Sequence, residues 1–149
     1  MKKKPGKHIV GTWVRLNQAR QVALSQIEMA LKSANLPPAI WYDVLWELDQ
    51  AEDNGLRPFE IEKQMLLRQY NLSRLLDRLE KAGYLTRKPC EEDGRGQRVF
   101  ISKAGRDLRL QMWPVYARAI NDAIATHLSE DEAKSVDYLL SKLLGTKSV

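Results

Sequence analysis

Apolar side chains recur every three or four positions along most of this chain, which is the spacing of one face of an α-helix. The first such stripe, over residues 9–33, predicts a long helix that ends before the Pro37–Pro38 pair. Proline is favourable at a first helical position, so Pro38 is expected to open a second helix that continues to Ala51. Residues 52–55 form a turn sequence that separates this helix from the next element.

Two short helical stretches follow, with a tight connection between them. Arg57–Pro58 opens the first, which runs to Met65, and Leu66–Leu67 is the predicted turn. The second is expected to begin near Arg68 or Gln69, and its apolar face consists of Leu72, Leu75, Leu76 and Leu79. Two short helices of which the second is basic predict a helix-turn-helix, although the turn lacks the usual glycine.

Beyond this helix the pattern predicts a β-hairpin. Gly83 suits the position just past a helix end, and strands are predicted at Tyr84–Lys88 and Gln97–Ile101. Asp93–Gly94, within the charged connection between these strands, is a strong hairpin-turn signal.

The remainder of the chain returns to helical spacing. Ser102 suits the N-cap of a long helix whose stripe reaches His127 and which Pro114 is expected to bend. Residues 129–132 form a capping-box sequence before a last helix, which Gly145 ends. The first and last helices carry apolar faces with little of their own to pack against. Packing them together and against a second copy of the chain would bury those faces.

The composition indicates a globular protein with one basic region. Hydrophobic residues make up 44% of the 149 and charged residues 29%, and no apolar run is long enough to span a membrane. The net charge is +5, and residues 68–106 contain ten Lys or Arg against five Asp or Glu. The basic surplus thus lies in the helix and hairpin, where it favours a polyanionic partner.

Several features bear on compartment and on chemistry. The basic N-terminus is not followed by the apolar core of a signal peptide, and the single cysteine, Cys90, excludes an intrachain disulfide. We therefore expect a cytoplasmic protein. We expect no cofactor and no metal site, because His8, His127 and Cys90 are too few and too far apart in the sequence. The sequence contains no phosphate loop, no paired metal motif and no nucleophile elbow. We therefore do not expect an enzyme.

Three segments between Pro38 and Gly105 resemble one family. They are the basic helix with its exit at Ser73–Leu85, the Asp93–Arg95 turn, and the second strand with the next helix start at Val99–Gly105. The three segments occur in the order and spacing found in the MarR family of winged helix-turn-helix transcription regulators, and we interpret them as a resemblance to that family. The resemblance implies a mainly α fold with a small β-hairpin wing. It also divides the chain into an N-terminal dimerisation helix (1–35), a winged helix-turn-helix domain (36–102) and C-terminal dimerisation helices (103–149).

The same resemblance implies a homodimer on a pseudo-palindromic, double-stranded DNA operator, often a repressor that a small aromatic effector releases. Bases are read near the start of a recognition helix. That rule selects Arg68, Gln69, Tyr70, Asn71, Ser73 and Arg74 as DNA contacts. At the wing, Arg95 is expected to enter the minor groove with Asp93 as its brace, and Arg87, Lys88 and Arg98 are expected to contact phosphates.

Other interpretations of these residues stay open. The polar helix positions could form a solvated face, and Arg78 could pair with Asp77 or Glu80 instead of DNA. Trp41, Tyr42 and Tyr116 are the candidate effector contacts, but such aromatic residues more often belong to a core or a dimer interface. Oxidation-sensing relatives carry their reactive cysteine near the N-terminal helix, where this chain has none, so Cys90 is expected to be an ordinary surface or half-buried thiol.

Two further alternatives concern the protein as a whole. It could be a winged-helix module that binds another protein, although such modules usually lose the basic face that this chain keeps. It could also be a DNA-binding dimer with no small-molecule effector, controlled only by its abundance. The effector, the operator, the regulated genes and the sign of regulation are not readable from the residues.

Overall fold

A computed structural model of the protein describes residues 2–67, 71–90 and 96–146. Its elements follow the predicted order, and the fold is mainly α-helical with a two-stranded antiparallel hairpin, as expected. The helices are α1 (Lys7–Ser33), α2 (Ala39–Ala51), α3 (Pro58–Gln64), α4 (Leu72–Lys81), α5 (Lys103–Ile124) and α6 (Glu130–Leu144). The strands are β1 (Leu85–Pro89) and β2 (Gln97–Ile101), and a short 3₁₀ turn at Glu52–Asn54 follows α2.

Contacts divide the chain into two compact units, residues 31–116 and residues 1–30 together with 117–149. The first unit therefore includes α2 to α4, the hairpin and the first part of α5. Its core gathers apolar side chains from helices and hairpin alike: Val44, Leu48, Leu56, Ile61, Leu75, Leu76, Leu79, Leu85 and Val99. Burial of the leucine face predicted for the fourth helix attaches α4 to α2, α3 and the strands.

The start of α4 differs from the prediction. The helix begins at Leu72, not near Arg68 or Gln69, and Asn71 is its N-cap. The side-chain oxygen of Asn71 accepts the backbone N–H of Arg74 at 3.1 Å, which satisfies one of the donors left free at a helix start. The apolar spacing also begins only at Leu72, so both the capping residue and the pattern favour the later start.

The end of α4 is the predicted one. Gly83 has a left-handed backbone (φ +86°), its N–H bonds to the carbonyl of Glu80, and the N–H of Tyr84 bonds to the carbonyl of Leu79. These two bonds form a Schellman motif, which turns the chain sharply out of the helix. The hairpin strand therefore starts immediately, at Leu85.

The hairpin has a third partner that the pattern did not predict. Strands β1 and β2 pair from Leu85 with Ile101 to Pro89 with Gln97, and Leu56 forms an isolated bridge with Val99 on the other side of β2. The two Leu56–Val99 backbone bonds measure 2.9 and 2.7 Å. This bridge joins the segment before α3 to the wing.

Ser102 connects the wing to α5. Its hydroxyl accepts the N–H of Gly105 at 3.0 Å, as expected of an N-cap, and also donates to the carbonyl of Gly83 at 2.6 Å. Helix α5 continues through Pro114 but ends at Ile124, three residues before the predicted end. There the N–H groups of His127 and Leu128 both bond to the carbonyl of Ile124, so the chain tightens into a turn.

The second unit consists of most of α1, the end of α5, and α6. Ser129 and Glu132 form the predicted capping box, and Gly145 ends α6 with a left-handed backbone. Many large apolar side chains of this unit are exposed: Ile9, Val10, Trp13, Val14, Val22, Met29, Ile124, Val136, Tyr138, Leu139, Leu143 and Leu144. None of the helices over the described ranges is long and apolar enough to cross a membrane.

Candidate nucleic-acid interface

Helix α4 presents one polar side and buries the other. Leu75, Leu76 and Leu79 are in the core, whereas Ser73 and Arg74 are exposed in the first turn. Asn71 is exposed as well, although its side-chain oxygen is engaged in capping the helix. Hydroxyl, guanidinium and amide groups thus lie together at the N-terminal end of the helix, where they can reach the edges of DNA bases.

The wing carries two cations opposite each other. Lys88 of β1 and Arg98 of β2 are cross-strand partners in the register of the hairpin. The ammonium of Lys88 lies 5.1 Å from the ring centre of Phe100, and Arg98 donates to the carbonyl of Asn54 at 3.1 Å. Like charges directly opposite each other destabilise a hairpin, so this pair is suited to an anionic partner.

Arg87 has a different surrounding from the other two wing cations. Its side chain is only 15% exposed, its guanidinium pairs with Asp77, and its Nε lies 3.4 Å from a carboxylate oxygen of Glu80. The two acids that could have paired with Arg78 are thus engaged by Arg87. The arginine attaches β1 to α4, and its charge is already compensated within the protein.

Five of the predicted DNA contacts lie outside the described residues. They are Arg68, Gln69 and Tyr70 before α4, and Asp93 and Arg95 in the turn of the hairpin. The backbone beside the hairpin turn is closed by a bond from the N–H of Cys90 to the carbonyl of Gly96, 3.1 Å long. The five residues stay predictions.

Cys90 is a buried thiol at the base of the wing. Its sulfur accepts a bond of 3.1 Å from the guanidinium of Arg57, the residue before α3. The cysteine expected at the surface or half-buried is thus buried in the structure. Among the described residues, no group of three or more His, Cys, Asp or Glu side chains is placed to hold a metal ion.

Four aromatic side chains cluster between α2 and α5. Tyr42 lies 6.4 Å from Trp46, 5.7 Å from Trp113 and 5.1 Å from Tyr116, measured between ring centres. Both tyrosines are buried and both tryptophans are exposed. The structure thus brings together two of the three candidate effector contacts.

The third candidate, Trp41, has a different environment. It packs edge-on against Tyr84 at 6.0 Å, beside the apolar core. Consecutive helical residues are about 100° apart around the axis, so Trp41 and Tyr42 face different neighbours. Trp46 lies four residues after Tyr42, and Trp113 lies three residues before Tyr116, so each shares a helix face with its tyrosine. This spacing was the sequence signal that could have added both tryptophans to the candidate effector contacts.

Asp43 is the residue that sequence reasoning missed. It lies on α2, its side chain is buried, and its carboxylate accepts the backbone N–H of Leu67 at 2.6 Å. A lone acid within an apolar helix face carries no motif. Its role depends on a segment 24 residues away, which only the folded chain brings near.

Comparison with known proteins gives the same assignment as the fold. The sequence profile of the MarR family matches residues 34–96. The HTH-type transcriptional regulator PrsX of Escherichia coli is 29% identical over 103 residues, which are 69% of this chain and 61% of PrsX. The chain thus spans about three-fifths of the length of this relative.

Solved structures share the fold over nearly the whole chain. Sco3205, a MarR family transcriptional regulator from Streptomyces coelicolor solved in complex with DNA, has a TM-score of 0.84 at 22% identity and covers 97% of this chain and 90% of its own. A mutant MarR from E. coli complexed with operator DNA has a TM-score of 0.79 at 23% identity, over 95% and 99% of the two chains. Residues 34–96 of this chain thus match the MarR family in sequence, and the described part of the chain shares the fold of these two regulators.

Proposed function

We propose that this chain is a sequence-specific transcription regulator that binds double-stranded DNA through α4 and the wing. The observation that carries the proposal is the polar end of α4: Ser73 and Arg74 are exposed while the apolar side of the helix is buried. A helix fixed to its domain by one face and polar on the other can enter a major groove as a rigid unit. The paired cations Lys88 and Arg98 add phosphate affinity beside it.

The relatives support a DNA-binding function. Sco3205 and E. coli MarR are bound to DNA in their solved structures, and PrsX is named a transcriptional regulator. In this proposal, the DNA-contacting surface also includes the five predicted contacts that lie outside the described residues: Arg68, Gln69, Tyr70, Asp93 and Arg95. Arg87, which is paired with Asp77, serves to hold the wing against α4 more than to bind phosphate.

We further propose that the protein acts in the cytoplasm as a homodimeric repressor on a pseudo-palindromic operator. The second unit leaves the large apolar side chains of α1 and α6 exposed, and a second copy would cover them. Helix-turn-helix dimers bind two half-sites about one helical turn of DNA apart, or multiples of it, so a second copy favours a two-fold operator.

A small aromatic effector is the proposed control. The support is the cluster of Tyr42, Trp46, Trp113 and Tyr116, in which flat rings could stack on a flat ligand. Beside it, the guanidinium of Arg109 lies 5.2 Å from the ring centre of Trp46, within the range of a cation–π contact.

The test is a DNA-binding titration at several salt concentrations, with a fluorescent duplex that the wild-type protein selects from a random library. Arg74→Ala and Arg95→Ala should each weaken binding and reduce the salt slope by about one, because each removes one released counterion. Lys81→Ala is the matched control, since it removes one exposed cation at the other end of α4, about 10 Å from Arg74.

Two results would contradict the proposal. Equal affinity and slope for the arginine variants and wild type would remove α4 and the wing from the interface. Failure of the wild-type protein to bind any duplex at low salt would instead favour a protein-binding module.

The effector is tested in the same assay. Phenol added to the preformed complex should release DNA from the wild-type protein but not from Tyr42→Ala. If phenol releases no DNA from the wild-type protein, the alternative of a DNA-binding dimer without an aromatic effector is favoured.

A further inference from the structure

The turn between α3 and α4 has an unusual sequence for its position. Residues 65–71 contain neither glycine nor proline, although this turn must set the angle between the two helices of the helix-turn-helix. Helix α3 ends at Gln64, Met65 is extended (φ −60°, ψ 133°), and its N–H still bonds to the carbonyl of Ile61 at 3.0 Å. Glycine or proline therefore does not fix the conformation of Leu66 and Leu67, the next described residues.

A carboxylate from α2 supplies that stabilisation. The side chain of Asp43 is 6% exposed, and its Oδ2 accepts the N–H of Leu67 at 2.6 Å. Burial raises the pKa of the Asp43 carboxyl, and hydrogen bonds from the backbone N–H groups of Leu67 and Leu66 oppose that rise. Bonds from backbone N–H groups to a carboxylate are shorter and stronger than bonds between neutral groups.

The same helix also holds the body of α4. Val44, next to Asp43, and Leu48, about one turn later, lie in the apolar core with Leu75, Leu76 and Leu79 of α4. Helix α2 thus contacts both the turn that precedes α4 and the buried side of α4 itself. An apolar face alone tolerates small rotations and shifts along a helix axis, whereas a directional bond at one end restricts them.

We propose that Asp43 is a positioning residue for DNA recognition. Its carboxylate fixes Leu66–Leu67, in the turn before α4, and so restricts the orientation in which the first turn of α4 meets the bases. The inference rests on the proposed DNA-binding function. It concerns selectivity between duplexes more than affinity for DNA in general, because contacts with base edges carry the sequence information and phosphate contacts carry none directly.

The experiment compares Asp43→Ala and Asp43→Asn with Asp49→Asn in the full-length protein. Asp49 also lies on α2, but its bonds go to Arg106 and Arg109 of α5, so its variant loses helix-to-helix bonds without touching the turn. For each protein, Kd is measured for the duplex selected by wild type and for an unrelated duplex of equal length. Exchange of the Leu67 amide proton, followed by NMR, reports the bond itself.

For Asp43→Ala we expect the preference for the selected duplex to fall about tenfold, the effect of losing one charge-assisted hydrogen bond. Affinity for the unrelated duplex should change less than about twofold, because the phosphate contacts are kept. Exchange at Leu67 should accelerate. Asp43→Asn keeps the shape and a neutral acceptor, so it should fold in any case and lie between alanine and wild type. Asp49→Asn should lose stability but keep the preference.

An unchanged preference in both Asp43 variants would overturn the inference, whatever happens to their stability. An equal loss of preference in Asp49→Asn would also overturn it, because the effect would then be general loosening. If wild type selects no duplex, the proposed function fails. In that case Leu67 exchange still separates the two claims, since acceleration in Asp43→Ala alone would show that the carboxylate fixes the turn but not that it serves DNA.

Discussion

At the scale of single residues, two glycines illustrate how position decides the cost of a side chain. Gly55 and Gly83 both have left-handed backbones, with φ of +63° and +86°. A Cβ at Gly83 would meet nothing within 4 Å, whereas one at Gly55 would lie 2.7 Å from the carbonyl oxygen of Val99 and from the ring of Phe100. Gly55 therefore allows both the turn after α2 and the close approach of Leu56 to the wing.

We predict that Gly55→Ala loses about 3 kcal/mol of unfolding free energy, the combined cost of the left-handed conformation and of overpacking. Gly83→Ala should lose only about 1 kcal/mol, because it carries the conformational cost alone. Urea denaturation of both variants, monitored by circular dichroism, measures the difference. Equal losses would show that the contact with the wing is relieved by small shifts.

At the scale of elements, one carboxylate joins α2 to α5. Asp49 accepts bonds of 2.9 Å from Arg106 Nε and 2.6 Å from Arg109 Nε. Burial opposes ionisation of this carboxyl, but the bonds and charges of the two arginines outweigh burial and hold its pKa below the ordinary value. Arg109 and Asp49 are both largely enclosed, so this pair is screened less than a surface ion pair.

This interaction should make stability depend on pH in a defined direction. A carboxyl with a lowered folded pKa stabilises the protein above its unfolded pKa, and the contribution disappears as the pH falls through the folded pKa. We expect wild type to exceed Asp49→Asn by about 2 kcal/mol at neutral pH, with the difference vanishing in strong acid. Urea denaturation between neutral pH and strong acid tests this, and a constant difference would contradict it.

At the scale of the whole molecule, the two units differ in how well they bury their apolar residues. The unit around α4 encloses its leucines, while the unit containing α6 leaves Leu139, Leu143 and Leu144 exposed, Leu143 by 66%. Exposed apolar side chains in such number are rare on proteins that remain monomeric. This contrast is the structural reason for proposing a second copy.

We predict that Leu139→Lys combined with Leu143→Lys shifts the protein from dimer to monomer. Burying two ammonium groups in an apolar interface costs several kcal/mol, enough to raise the dimer Kd by more than about a hundredfold. Asp137→Lys is the control: it adds the same charge from a polar, exposed position of α6. Sedimentation velocity measures all three proteins, and dimers of the double variant would place the interface elsewhere.

The sequence predicted those features of the candidate site that depend on residues close together in the chain. Asn71 shows the limit: its side chain also caps a helix that begins later than predicted, a role that the prediction of base contact did not include. Arg87 shows a second limit, because its pairing with Asp77 joins a strand to a helix ten residues earlier. In both cases a polar side chain had several possible partners, and only the geometry of the fold chose among them.

By itself, the sequence determined the order of the elements, the leucine face of α4, the Gly83 and Gly145 helix ends and the capping box at Ser129, because each depends on residues within a few positions. The tertiary structure decided the Leu56–Val99 bridge, the attachment of the turn by Asp43, and which aromatic residues of α5 meet Tyr42. These contacts join residues more than 20 positions apart. Their formation depends on the packing of the core, which no local pattern encodes.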